Sequence, residues 1–186
     1  MPVDPAKIAA RYLFATRPIH LTATIGDVLD HLSMDVQSTS SLVTVQVFVD
    51  QQVVSELVSD GGQLHDYPGW KSNQVGLLTA TTVRNRDELD DECFEDLEWA
   101  ERRSGKTLSP FQIKKVELVK KLRGLGLGSD LYIKAAKEIA QYDGALVPDR
   151  CGPAGVTTGQ AERVWESSTI RQQLEVVGNN VMWFQA

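Results

Sequence analysis

Val116-Glu117-Leu118-Val119-Lys120-Lys121-Leu122-Arg123-Gly124-Leu125-Gly126-Leu127-Gly128-Ser129-Asp130-Leu131 joins a strand-like run to a helix-like run through alternating glycines at 124, 126 and 128. Without a Cβ, such a loop lets another molecule approach the backbone closely. The helix expected to open near Gly128 or Ser129 starts with amide N–H groups that have no partner inside the helix. Those donors and the helix dipole favour an anion. Arg123, Lys120 and Lys121 add positive charge at the same place. The local chemistry is that of a diphosphate cradle. A tight strand-to-helix connection alone would need one glycine. A dinucleotide site of the G-x-G-x-x-G kind wants a third glycine where Ser129 stands, and a P-loop wants a terminal Gly-Lys-Ser/Thr that is absent.

Outward from the loop the pattern reads β-loop-α-β-α. Ile113, Val116, Leu118 and Val119 predict the strand before it. Ser129 to Tyr142 predicts a helix with Leu131, Ala135 and Ile139 on one face. Ala145-Leu146-Val147 is a short apolar strand, and Thr157 or Thr158 caps a helix carrying Ala161, Val164 and Trp165. Leu174 to Val177 and Val181 to Phe184 flank Gly178-Asn179-Asn180, a turn that supplies positive φ angles and so predicts a closing hairpin.

Arg123-x-x-Gly126-x-Gly128 resembles the R/Q-x-x-G-x-G/A signature of the GNAT (Gcn5-related N-acetyltransferase) superfamily. The likeness covers about residues 111–186: the preceding Val116-Glu117-Leu118-Val119, the helix opening Ser129-Asp130-Leu131, the spacing of Ala161 to Trp165, and the terminal hairpin. It implies an α+β (mixed α/β) fold with a central, mixed, mostly antiparallel sheet flanked by helices. It also implies one domain, with 1–110 as the acceptor-side half and 111–186 as the half that binds acetyl-coenzyme A. In such a fold two parallel strands, here 113–119 and 145–147, splay apart to admit pantetheine. Leu118 and Val119 would pair with it, and backbone amides of Arg123, Gly124, Leu125, Gly126, Leu127, Gly128 and Ser129 would hold the diphosphate. An amine, of a small molecule or a protein, would attack the thioester directly, with a base taking its proton and a strand amide serving as oxyanion donor.

Two positions depart from the family pattern. Thr158 stands where asparagine is usual, and Trp165 stands where a tyrosine commonly protonates the leaving thiolate. An indole N–H donates a hydrogen bond but is no usable acid. The catalytic residues are therefore not assigned by the resemblance. Glu117 and Asp149 are candidate bases, and each equally suits a surface carboxylate or a partner for Arg150. The alternative is a catalytically weak or inactive GNAT-fold protein that docks on a partner through the Trp70 loop or an acidic helix. Residues 146–150 and 164–166 are also similar to GNAT-like proteins of bacteriophages, which implies a host cytoplasm and a host protein or metabolite as acceptor.

Before residue 111 the reading rests on periodicity. Asp4-Pro5 predicts a short helix to Phe14, and Thr24 to Leu32 a second one. Leu42, Val43, Val45, Val47 and Val49 predict a strand, and Val53, Val54, Leu57 and Val58 its antiparallel partner across Asp50-Gln51-Gln52. Residues 65–73 read as loop and 75–83 as strand. Residues 87–103 read as an acidic helical insertion with Leu89, Cys93, Phe94 and Leu97 on its apolar side and a solvated carboxylate face. Gly105 and Pro110 bracket a loop.

The chain has 186 residues, 42% apolar and 24% charged, with net charge −6. That argues for a soluble protein and against nucleic acid or anionic membrane as a general partner. No apolar stretch is long enough to span a bilayer and no secretory leader is evident, so a cytoplasmic location is expected. Cys93 and Cys151 read as free thiols, Cys151 a nucleophile in principle only. His20, His31 and His65 show no metal-ligand spacing; His65, near Tyr67 and Trp70, is the one suited to a catalytic test.

Overall fold

Val43, Val45, Val47 and Val49 are all buried, while the residues between them are half-buried. This period of two makes β2 (Leu42–Val49) a strand with one face in the core. The computed structural model describes residues 29–51, 53–54, 64–65, 67–153 and 155–185, the side chain of Lys121 apart. The expected helix 4–14 lies outside them, as do residues 24–28 of the second.

Seven strands form one sheet in the order β1-β2-β3-β4-β5-β7-β6. They are β1 (Leu32–Thr39), β2, β3 (Gln74–Thr82), β4 (Ser109–Leu118), β5 (Gly144–Val147), β6 (Glu175–Val177) and β7 (Val181–Trp183). Helices α1 (Asp91–Ser104), α2 (Leu127–Ile139), α3 (Gly159–Trp165) and α4 (Ser168–Gln173) flank it. The architecture is mixed α+β with a mostly antiparallel sheet. β4 and β5 are the parallel pair, and β5–β7 and β6–β7 are antiparallel. No helix among the described residues is long and apolar enough to cross a membrane.

The hairpin at the sheet edge is not the one expected. Val53 and Val54 are helical, because both their amides bond to the Asp50 carbonyl (2.9 and 3.2 Å). The partner of β2 is β1, whose Leu32, Met34 and Val36 alternate with exposed Ser33, Asp35 and Gln37. Its apolar face is only half-buried, as an edge strand allows. The helix expected over 24–32 is helical at 29–30 and gives way to β1 at Leu32. β4 likewise begins before the expected position, at Ser109. Pro110 is accommodated near the strand's start, its carbonyl accepting from Val83 N–H at 2.8 Å.

The chain separates into two compact units. One joins the described part of Met1–Asp35 to Gln46–Gly76 and Leu118–Gly128; the other joins Val36–Val45, Leu77–Glu117 and Ser129–Ala186. In the first, His65, Tyr67 and Trp70 pack together with ring centroids 4.4 to 6.0 Å apart. His65 Nε2 meets the Lys71 carbonyl (2.8 Å) and its Nδ1 accepts from Tyr67 N–H (3.3 Å). Both ring nitrogens are thereby committed to the loop, so His65 is a packing residue. Trp70 is half-buried rather than exposed.

In the second unit α1 is integral to the core. Asp90 caps it by accepting from Cys93 N–H, and Cys93, Leu97 and Ala100 fall on one buried face. That face joins Ala145, Val147, Val177, Val181 and Trp183 in one apolar cluster. Part of its acidic face is also spent on protein. Asp96 and Glu92 accept from Asn180 Nδ2 (2.8 and 3.2 Å), and Glu101 takes Arg86 and the Leu108 amide, both at 2.7 Å. Cys93 and Cys151 form a disulfide that ties α1 to the turn after β5, which corrects the expectation of free thiols and removes Cys151 as a nucleophile.

The disulfide closes a loop of 58 residues. Constraint of the unfolded chain should make it worth about 4 kcal/mol. Urea denaturation of the Cys93→Ala/Cys151→Ala variant is expected to show that loss, and a loss below about 1 kcal/mol would refute the link. Glu101 supplies a pH signature. Burial pushes its carboxyl up, but the Arg86 hydrogen bond, the Leu108 amide and the Arg86 charge outweigh it and hold the carboxyl below its usual 4.5. Its contribution to stability is complete above pH 4.5 and is lost as pH falls through the lowered value. Glu101→Gln should flatten that acid limb of stability measured by denaturation; an unchanged limb counts against the pair.

Candidate functional site

The glycine loop belongs to the first unit. β4 ends at Leu118, and a 3-10 turn over Lys120–Leu122 buries Leu122 and delivers the chain to Arg123. Gly124 and Gly126 have φ of +83° and +92°, and a Cβ at either position would meet no atom within 4 Å. The glycines are therefore required by backbone conformation, and space lies open above them. Arg123 and Lys120 are exposed, and Leu127, the first residue of α2, is buried. The first-turn amides of α2, at Leu127, Gly128 and Ser129, have no acceptor one turn earlier. Arg123 Nε donates to the Leu118 carbonyl (3.0 Å) and folds the loop back onto the strand end.

Leu118 and Val119 are divided by the pleat. Val119 N–H donates to the Val75 carbonyl (2.9 Å), so its polar groups belong to β3. Leu118 faces the opposite edge, and its side chain lies over Gly76, where a Cβ would come within 2.8 Å of it. The alternation leaves the amides of Leu118 and Val116, rather than that of Val119, on the edge away from β3.

A cleft of about 240 Å³ lies within the second unit. Its cause is a mismatch of strand lengths. β4 and β5 pair from Ser109↔Gly144 to Gln112↔Val147. β5 then stops at Pro148, while β4 continues to Leu118. The continuing strand, the turn after β5, α2 and α3 wall the cleft with Ile113, Val116, Tyr132, Asp149, Ala161 and Trp165.

Both candidate bases lie in this cleft. Glu117 Oε2 is 3.1 Å from Lys115 Nζ, and Asp149 Oδ1 is 3.5 Å from Lys114 Nζ. Gln112, buried, donates to the Asp149 carbonyl (2.8 Å) and accepts from Lys114 Nζ, so the turn carrying Asp149 is held to β4. Arg150 turns away to Asn180 Oδ1 (2.6 Å) and is no partner for either carboxylate. Thr158 caps α3, accepting from Ala161 N–H (3.3 Å). Thr157 Oγ1 accepts from Arg150 N–H at the same distance.

No known protein family, characterised protein or solved structure shows a significant match to the chain. Function must be argued from the site itself.

Tyr132 was not singled out by sequence, where it sits among the apolar residues of α2. It is buried, and its ring meets Trp165 edge-on at 6.0 Å. Burial pushes its phenol up to about 12, against a smaller opposite pull from the Trp165 indole N–H. That indole nitrogen is buried and makes no hydrogen bond of normal geometry, which costs about 1–3 kcal/mol in an ordinary interior. Among the described residues, Asp90, Cys93 and Cys151 offer ligand atoms that converge. The two sulfurs are consumed by the disulfide, leaving no thiolate for a metal.

The positive φ angles give the loop a simple test. Gly124→Ala and Gly126→Ala should each lower stability by about 1–2 kcal/mol in chemical denaturation, although nothing obstructs the added methyl group. Neutral substitutions would mean the loop has a different conformation.

Proposed function

We propose that this chain binds acetyl-CoA and transfers its acetyl group to an amine, as an N-acetyltransferase of the GNAT kind. The observation that carries the reading is the cleft opened where β4 outruns its parallel neighbour β5. An unpaired strand edge offers amides and carbonyls to an extended, amide-bearing chain, and pantetheine is such a chain. The main chain at Val116 and Leu118 would pair with it. The glycine loop follows β4 directly in sequence and offers what a diphosphate needs: open backbone at Gly124 and Gly126, the first-turn amides of a helix that begins at Leu127, and cationic neighbours. The mostly antiparallel sheet flanked by helices is compatible with the fold class that the resemblance over residues 111–186 implies.

The chemistry is direct attack. An acceptor amine entering the cleft meets Glu117 and Asp149, either of which can take its proton once the lysine contact loosens. Each carboxylate carries an adjacent ammonium group, so the cleft is electrically mixed and sets no strong charge preference for the acceptor.

Binding and turnover are tested separately. Acetyl-CoA and CoA should raise the melting temperature, with stabilisation of about 2.7 kcal/mol at a hundredfold excess over Kd. Gly126→Glu should abolish that shift, because a carboxylate would occupy the open space and repel phosphate. Thiol release in the presence of an amine panel reads turnover. No shift at millimolar ligand removes the proposal. A shift without thiol release favours a CoA-binding protein that acts by docking.

A further inference from the structure

Aminolysis of a thioester expels a thiolate, which takes up a proton to leave as the free thiol. This inference rests on the acetyltransferase reading. The family pattern would put a phenol at position 165, and Trp165 cannot perform that transfer. We infer that Tyr132, on α2, is the acid that protonates the departing thiolate, the phenol having moved from one wall of the cleft to the other.

The geometry favours Tyr132 over the other proton-bearing groups of the cleft. Tyr132 lines the cleft with Ile113, Val116 and Ala161 and is 1% exposed. Lys114 and Lys115 are exposed and engaged with Asp149 and Glu117. The hydroxyl oxygens of Thr157 and Thr158 are committed as acceptors from backbone N–H groups. Trp165 meets the Tyr132 ring nearly perpendicularly, at 84°, and fills the space beside it. Its indole N–H is buried and has no hydrogen-bond partner among the described residues. Desolvation keeps the phenol protonated across the neutral range. A thiolate formed against the same wall is destabilised by the same desolvation, so it becomes a stronger base than it is in water.

The step balances without a further reactant. The amine nitrogen bonds to the carbonyl carbon, and the carbon–sulfur bond breaks with its electron pair going to sulfur. Sulfur takes the proton of the Tyr132 hydroxyl. The proton given up by the attacking nitrogen returns through the cleft carboxylate and solvent to the phenolate, and the products are an amide and a free thiol.

The test uses the full chain, acetyl-CoA and an amine found by thiol release. Tyr132→Phe should lower kcat by about a hundredfold or more. The KM for acetyl-CoA should stay within about threefold, and the CoA-induced melting shift should be retained. Tyr132→Phe/Trp165→Tyr, which puts a phenol on the α3 wall instead, should recover at least tenfold of that loss, a rescue that packing alone would not give. Wild-type kcat in Tyr132→Phe overturns the assignment and leaves the acetyltransferase reading standing. Parallel loss of kcat and of the CoA shift overturns it too, because Tyr132 would then be structural. A wild-type protein that neither binds CoA nor releases thiol removes the acetyltransferase reading itself, and the assignment with it.

Discussion

β5 is four residues long and its neighbour β4 is ten. The pairing of these parallel strands must therefore end while β4 still has backbone groups to satisfy. Buried main-chain donors and acceptors without partners are costly, and sheets ordinarily pair or cover such an edge. Here Pro148 ends β5 while β4 runs on to Leu118. A cleft is the result. It is a consequence of strand lengths, and it would persist through many changes in the side chains that line it.

What keeps the cleft from closing is the anchoring of the turn beyond β5. The Asp149 carbonyl is held by Gln112, the Cys151 carbonyl accepts from Asp90 N–H (2.9 Å), and the Cys151 sulfur is bonded to Cys93. Arg150 reaches the closing hairpin at Asn179 and Asn180. Three different elements thus fix three consecutive residues. This gives α1 a role that its composition conceals: it is the far end of two of those anchors, buried through Leu97 and Ala100 against β7 and β5. An acidic helix that looked like an ornament is the buttress of the turn that carries Asp149.

How much of this could be read beforehand followed from how local each signal was. The strand, glycine loop, α2, β5, the Thr158 cap and the closing hairpin are set by residues within a few positions of one another, and all were legible. The failures were non-local. Val53 and Val54 have the composition of a strand, yet the Asp50 carbonyl winds them into a helical turn. β1 is an edge strand with a half-buried face, so its alternation is faint, and Leu29 to Leu32 mimicked helical spacing. The disulfide joins residues far apart in sequence, and nothing near either cysteine signals it. Tyr132 was hidden in the same way. On a helix with Leu131 and Ile133 beside it, an aromatic reads as core, and only the packing of α3 against it brings it to the cleft beside Trp165.

Charge is distributed along the chain to match this division of labour. The net charge of −6 would repel a polyphosphate ligand at long range. Yet the carboxylates crowd into residues 87–101, whereas residues 114–123 carry Lys114, Lys115, Lys120, Lys121 and Arg123 against a single Glu117. Interactions beyond about 8–10 Å are largely screened at ordinary ionic strength. An anion that reaches β4 and the loop after it therefore experiences the local cations far more than the global excess of acid. Several of the acidic groups are also consumed by Arg86, Arg103 and Asn180 inside the fold. Segregation of this kind gives a chain that is acidic as a whole a short cationic stretch next in sequence to the open backbone of Gly124 and Gly126.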